Sequence, residues 1–459
     1  MIDFKPKSSA ICIAADNEQT YILLHENKPV WTVVNKVGYK TFSLCDGRTS
    51  VGQIAQILSQ EYGMPLDPVL SDIRSFIAGL AKGGFLQSSD AARSTSERSF
   101  EKPVALRKVD LNITGNCNLR CRHCGVTDGS GRADVLTTEQ IFRIIDEAKD
   151  AGVRGLSISG GEPLLRGDCL YILSYATQRV ETTLATNATL IDERVARALA
   201  DLGLWIQVSL DGSQENIHDF MRGKGAFAET MKALDLLVAL GANRRISVCV
   251  TISRNNINDL ESILELAAER GLAAVRFSPL QNIGMARLHW KELAPSAEDY
   301  IRFYRSIYSQ AASRFPGMEI NAGFQGFLLH QPSGQASWCQ VGEALTMDDR
   351  GDLYPCPLFM EPSFRLGNIR QVSLRQALCS PLMERIRQMC ILRKSTIPEC
   401  QACQWRNFCQ GGCPGSVYQL KGTFQAVDDL CGFRKQFYPQ VIFSRAFGKA
   451  RSFSNTSSR

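Results

Sequence analysis

Hydrophobic spacing divides this chain into three stretches with different rhythms. Near the start, the β-rich runs Ile11–Ala15, Tyr21–Leu24 and Val30–Val34 are parted by polar turns. Val51–Leu58 and Val69–Ile77 then place apolar residues at helical spacing. Three strands followed by helices predict a small winged-helix-like domain over residues 1–88. Ser88–Arg98 has little to bury and reads as part of a linker, 89–104. From Val109 strand and helix alternate strictly. Strands are predicted near Val109–Thr114, Gly155–Ser159, Thr182–Asn187, Leu204–Leu210, Ile246–Ile252 and Ala273–Ser278. Helical patterns such as Glu139–Ala151, Glu193–Leu202 and Leu260–Arg270 fill the gaps. Repeated βα units mean a parallel sheet, and right-handed crossovers curl it into a partial (β/α)6 barrel of TIM type over 105–317. After Met318 the alternation stops and a cysteine-rich region, 318–440, takes over, followed by a tail, 441–459, whose last residues Arg451–Arg459 fray.

A length of 459 residues exceeds one ordinary core and agrees with such a division. Hydrophobic and charged fractions of 44% and 21% are those of a soluble globular protein. The net charge of +6, from 52 basic and 46 acidic residues, is too small and dispersed to argue for nucleic acid. Met1–Pro6 lacks the apolar run of a signal peptide, and no stretch approaches the ~20 apolar residues that span a bilayer. The expectation is a cytoplasmic protein with neither membrane nor nucleic acid as partner. Sixteen cysteines are then unusual, because a reducing cytosol does not keep structural disulfides. Cysteines at short spacing there usually hold metal. Three fall in Cys117–Cys124 and five in Cys400–Cys431, whereas Cys12, Cys45, Cys169 and Cys249 are scattered and read as small buried hydrophobes.

The first predicted barrel strand runs into Gly115-Asn116-Cys117-Asn118-Leu119-Arg120-Cys121-Arg122-His123-Cys124. This C-x3-C-x2-C triad sits where barrel folds place their chemistry. Thiolates are the usual ligands of iron–sulfur clusters, and three on a four-iron cubane leave one iron open. Arg120 and Arg122 can offset the cluster's negative charge. A zinc site completed by His123 competes, but a histidine between two close cysteines is poorly placed to join them. The segment resembles the radical S-adenosylmethionine (SAM) superfamily, and Ser159-Gly160-Gly161-Glu162-Pro163 at the end of the second strand is similar to that family's GGE motif. The resemblance implies that Gly160, Gly161 and Glu162 receive the methionine amino group of SAM, with glycine admitting a close approach. It also implies that Ser209 and Arg222, from Val208–Gly212 and His218–Gly223, lie near the SAM carboxylate or ribose. Arg222 as a solvated loop charge is the alternative. Asn187 either reaches the same pocket or serves as a turn residue.

The second constellation reads C-x11-G-x4-C from Cys339 through Gly351 to Cys356, then C-x2-C-x5-C-x3-C through Cys400, Cys403, Cys409 and Cys413, then Cys431. It resembles the SPASM domain, which carries auxiliary four-iron clusters; a zinc ribbon competes, although seven cysteines do not divide into closed four-ligand sites. By resemblance Cys400, Cys403, Cys409 and Cys431 hold one cluster, and Cys339, Cys356 and Cys413 hold the other. The fourth ligand of the second is open between Cys379, Cys390 and a site left free for substrate. The resemblance therefore implies three [4Fe-4S] clusters and SAM.

The N-terminal region resembles the peptide-chaperone domain of pyrroloquinoline-quinone biosynthesis, also called a RiPP recognition element, through its three strands, the Leu44–Gly47 turn, the Ile54-Ala55 helix and Ala78–Leu86. Such domains bind a leader peptide as an added strand, here along Pro29–Asn35 and centred on Val30–Val34. A nucleic-acid-binding winged helix competes, weakened by the lack of a basic recognition helix. Together these resemblances imply a maturase of ribosomally made peptides. It would take hydrogen from the core of a precursor peptide, with oxidative thioether or carbon–carbon cross-linking as product and a flavodoxin or ferredoxin as reductant. An epimerase and a formylglycine-type protein maturase are the rivals within the superfamily. A non-catalytic iron–sulfur carrier or peptide-binding scaffold is the rival from outside it.

Overall fold

The structure is a computed structural model, and it describes residues 3–14, 19–87, 105–125, 135–307, 314–321, 339 and 341–447. The expected linker 89–104 and the end of the tail lie outside the described residues.

The N-terminal unit begins with β1 (Lys7–Ser8), β2 (Ala10–Ala14), β3 (Thr20–His25) and β4 (Trp31–Asn35), and closes with β5 (Leu86–Gln87). β2, β3 and β4 form an antiparallel sheet in that order, and β1 pairs with β5. Three helices, α1 (Lys36–Ser43), α2 (Val51–Tyr62) and α3 (Leu66–Lys82), follow the sheet. The first of these escaped the sequence reading, because eight residues containing a glycine and a valine carry little helical signature. Its start is nevertheless built in: the Asn35 side chain accepts from Gly38 N at 2.8 Å. Ser50 and Gln53 form a reciprocal capping box at α2. Leu23 and Val34 pack on these helices with Ile54, Leu58, Ile73 and Ile77. Ile22 and Leu24 point the other way, into the main core of the molecule. The sheet is therefore buried on both faces, which is why Ile22-Leu23-Leu24 reads as an unbroken apolar run.

The predicted barrel is present. β6 (Lys108–Asn112), β7 (Gly155–Ser159), β8 (Glu181–Thr186), β9 (Trp205–Ser209), β10 (Ile246–Ile252) and β11 (Ala274–Pro279) lie parallel in chain order. Between them run α4 (Thr138–Asp150), α5 (Cys169–Thr177), α6 (Glu193–Leu202), α7 (Glu215–Arg222), α8 (Ala226–Ala239) and α9 (Leu260–Glu269). The sheet continues past both predicted ends. β12 (Glu319–Asn321) adds a parallel strand beside β11, and β13 (Ala344–Met347) lies parallel to β6, followed by antiparallel β14 (Asp352–Tyr354) and β15 (Gly367–Asn368). Strands of two to four residues show no period of their own, so only pairing reveals them. Leu156, Ile158, Leu184, Ile206, Val208 and Val248 are buried on the outer face of the sheet beneath the helices. The alternate positions, Ser157, Thr183, Gln207, Ser209, Cys249 and Thr251, are half-buried and mostly polar. A filled barrel would carry branched apolar residues there, so this inner face is suited to a ligand. Among the described residues no helix is long and apolar enough to cross a membrane.

Candidate functional site

The cysteine triad follows β6 directly, and its loop is held from beneath by the turn after β7. Gly161 N donates to Thr114 O at 2.9 Å, and Glu162 N donates to Asn116 O at 2.7 Å. A Cβ on Gly160 would stand 2.3 Å from Thr114 O, and one on Gly161 would stand 2.0 Å from Asn116 O. The cysteine loop thus presses directly against both glycines. Arg166 adds a second tie, donating from Nη1 to Ile113 O and Leu136 O while its Nε pairs with Asp168 at 2.7 Å.

Glu162 is fully buried, and its carboxylate accepts from Leu164 N, Thr186 Oγ1 and Asn187 N at 3.1, 2.8 and 2.8 Å. Burial raises its proton affinity and these hydrogen bonds oppose the rise. The side chain therefore staples β7 to the end of β8. Asn187 lies beside the triad: its Nδ2 donates to Asn118 Oδ1 at 2.9 Å and stands 3.9 Å from Cys117 Sγ. Ser209 ends β9 on the inner face, in register with Cys249 of β10.

Arg222 is not a solvated charge. It is 8% exposed, its Nε is 2.7 Å from Asp211 Oδ2, and its Nη1 is 4.0 Å from Cys121 Sγ. Burial alone would raise the Asp211 carboxyl, but Arg222, His123 and the donated Thr251 N–H hold it below the ordinary carboxylate range. His123 turns toward this pair, with Nε2 3.4 Å from Asp211 and 3.5 Å from Arg222 Nη2, rather than toward the neighbouring thiols. Burial pushes His123 down to about 4. Arg120 lies near enough to Cys117 to favour its thiolate, whereas Arg122 is paired with Glu292 at 2.9 Å. The sequence reading gives Asp211 no role; an acid just past a predicted strand, eleven positions before an arginine, is the signal available there.

All sixteen cysteines are free thiols, as metal ligation requires. Cys117, Cys121 and Cys124 are electrostatic neighbours, and burial pushes Cys121 up to about 11 against the pull of Arg222. In the C-terminal region burial pushes Cys400 up to about 12, and Cys409, Cys403 and Cys431 add to the rise. Burial likewise raises Cys356, with contributions from Cys413 and Cys339. Cys400 thus has Cys403, Cys409 and Cys431 as neighbours, and Cys356 has Cys413 and Cys339. Thiols crowded together beside the buried cations Arg222 and Arg393 fit polynuclear anionic clusters. Among the described residues no three His, Cys, Asp or Glu side chains close around a single ion. A cavity of about 390 Å³ lies between the end of β11 and the C-terminal region, with Gln281, Trp290, Cys409, Cys413 and Phe433 on its wall.

Three family models match this chain: the radical SAM superfamily over residues 111–267, coenzyme PQQ synthesis protein D over 20–86, and an iron–sulfur cluster-binding domain over 339–404. The chain is 31% identical over 347 residues to the mycofactocin maturase MftC of Mycobacterium ulcerans, an alignment covering 73% of this chain and 89% of that protein. It is 28% identical over 361 residues to the AdoMet-dependent heme synthase of Methanosarcina barkeri, covering 72% and 97%. Its fold resembles that of Streptococcus suis SuiB, solved with the precursor peptide SuiA, at a TM-score of 0.61 and 16% identity over 93% of this chain and 99% of that one. With its iron–sulfur and SAM-binding architecture, this chain belongs to the radical SAM superfamily of enzymes, as a member with a SPASM domain and a PqqD-type N-terminal domain.

Proposed function

We propose that this enzyme is a cytoplasmic maturase of a ribosomally made precursor peptide. The leader binds along β4, and a residue of the core segment loses hydrogen at the barrel mouth. The observation that carries the reading is the edge of β4: among the described residues it pairs with β3 alone, inside the stretch matched by the PqqD model. An enzyme for a small molecule has no use for a strand-adding edge. The name of the MftC relative and the peptide-bound structure of SuiB support the same assignment. Residues 1–88 are then the leader-binding domain, 105–317 the barrel, and 318–440 the auxiliary-cluster domain.

Cys117, Cys121 and Cys124 would hold the SAM-binding cluster. Gly160–Glu162, Asn187, Ser209 and Arg222 would border SAM. Cys400, Cys403, Cys409 and Cys431 would hold one auxiliary cluster, and Cys339, Cys356 and Cys413 another, making three in all. Once bound, these groups would supply radical chemistry that removes hydrogen from carbon and an acceptor for the electron the product gives up. The chain's own residues position and shield. Asp211 fixes the Arg222 guanidinium through Nε, leaving Nη1 directed at the triad. Gln281 has its Oε1 buried without a partner on the cavity wall, where it can accept a peptide N–H.

The test is a mass measurement. The peptide encoded by a short reading frame beside the gene, incubated anaerobically with the reconstituted enzyme, SAM and a flavodoxin or dithionite, should lose two hydrogens per event. Cys117→Ala should abolish both that loss and 5′-deoxyadenosine formation. An unmodified peptide with continued SAM cleavage would refute the peptide assignment. Epimerisation is a second reading, favoured by Cys249. Its thiol lies on the inner face beside Asp211 and Arg222, and burial keeps it in the protonated form that can donate a hydrogen atom. Unchanged mass in water with deuterium uptake in heavy water, lost in Cys249→Ala, would select it.

A further inference from the structure

The grouping of the C-terminal thiols leaves Cys339, Cys356 and Cys413 one ligand short of a closed four-iron cluster. The structure separates the two spare cysteines. Cys379 ends the short helix Leu374–Leu378 and is exposed. Cys390 faces inward from the helix Pro381–Thr396 and is 7% exposed. Its thiol is hydrogen-bonded to the sulfur of Cys339, and Cys356 lies close by. One turn further on, Arg393 has no exposure at all. Its Nη1 donates to Phe424 O at 2.7 Å, and its Nη2 to Gly411 O and Ala426 O at 2.6 and 3.0 Å. Its Nε is buried with no hydrogen-bond partner, and the negative groups it feels are Cys390, Asp428, Cys413 and Cys400, of which Asp428 is already paired with Arg434 at 2.6 Å. A cation buried on neutral carbonyls is costly unless anions face it. Gln410, Gly411 and Gly412 all have positive φ, and this tight turn brings Cys413 back beside that cation after Cys409.

We propose that Cys390 is the fourth protein ligand of the cluster held by Cys339, Cys356 and Cys413. The proposal rests on the auxiliary-cluster reading above. It makes that cluster coordinatively closed, so the substrate does not bind to its iron and the site serves electron transfer.

The test uses the full chain carrying Cys117→Ala, Cys121→Ala and Cys124→Ala, in which only C-terminal clusters remain. This parent should hold about eight irons, four per cluster. Adding Cys390→Ala should lower the iron content and replace one reduced four-iron paramagnetic signal by a three-iron signal or by none, while Cys379→Ala changes neither. Retention of all the iron and both signals in Cys390→Ala would overturn the ligand assignment alone. A parent without iron would overturn the cluster reading and the proposal with it. Because Cys390→Ala can also lose iron by misfolding, a second measurement is made on the parent itself. Added cyanide should leave the auxiliary signals unshifted, and a cyanide-shifted signal would reveal an open iron and defeat the proposal.

Discussion

At the scale of single residues, the site depends on contacts that tolerate no added atom and on charges that tolerate no water. Gly161→Ala puts a methyl group 2.0 Å from Asn116 O, a backbone atom with nowhere to move. We expect a cost of at least ~2 kcal/mol, in the range of overpacked cores, and selective loss of triad iron with the C-terminal clusters retained. Iron analysis and electron paramagnetic resonance of that variant check this; normal triad loading would show that the glycine does not serve the loop. His218 tests the charge side. It is fully buried, its Nδ1 accepts from Asp211 N at 3.1 Å, and burial pushes it from near 6.5 down to about 4. The unfolded chain then binds more protons between those values, so stability is complete above about pH 6.5 and is lost as pH falls toward 4. The loss is about 1.4 kcal/mol at pH 5.5. Urea midpoints at pH 7.5 and 5.5 should fall more steeply for the wild type than for His218→Asn.

At the scale of elements, the long periodic segments were legible in the sequence. All six barrel strands and the helices at 139–151, 193–202 and 260–270 appear within a residue or two of their expected bounds. Short elements were not, because α1, β12 and β13 owe their existence to a cap or to a neighbouring strand rather than to any period. The edge strand β4 carries the functional prediction at this scale. His25 N donates to Val30 O, so in the antiparallel ladder the N–H groups of Trp31 and Val33 point away from β3. Proline is tolerated at such an outward position but cannot donate to an added strand. Val33→Pro should leave the fold intact by circular dichroism and weaken binding of a fluorescent leader peptide at least about tenfold, the equivalent of one or two main-chain hydrogen bonds. Unchanged affinity would move the leader site away from β4.

At the scale of the whole molecule, the N-terminal unit is docked rather than tethered. Ile22 and Leu24, flanked by Trp31 and Val33, join the same core as Phe433 and Phe437 of the helix Cys431–Phe447, which contacts β3 and β4. Asn407 Nδ2 adds a hydrogen bond to Glu26 O at 2.6 Å. The β4 edge and the cysteine-rich C-terminal region are thus parts of one body. Removing residues 1–88 should uncover that apolar face, lower the thermal midpoint of the remainder and promote its association; Ile22→Asp should do the same to a lesser degree. Differential scanning calorimetry with size-exclusion chromatography decides the point, and a truncated chain as stable and monomeric as the full one would show the docking to be incidental.

The residues alone determined the chemistry and the class of fold. The triad, the glycine turn and the C-x2-C-x5-C-x3-C run are local in sequence, and βα alternation imposes a parallel sheet whatever the loops do. Tertiary structure decided what depends on residues far apart in the chain. It set Arg222 against Asp211, turned His123 from the thiols to that pair, and separated the buried Cys390 from the exposed Cys379. Those outcomes follow from burial and from the partner each charge finds, and neither is written in the spacing of the residues that share them.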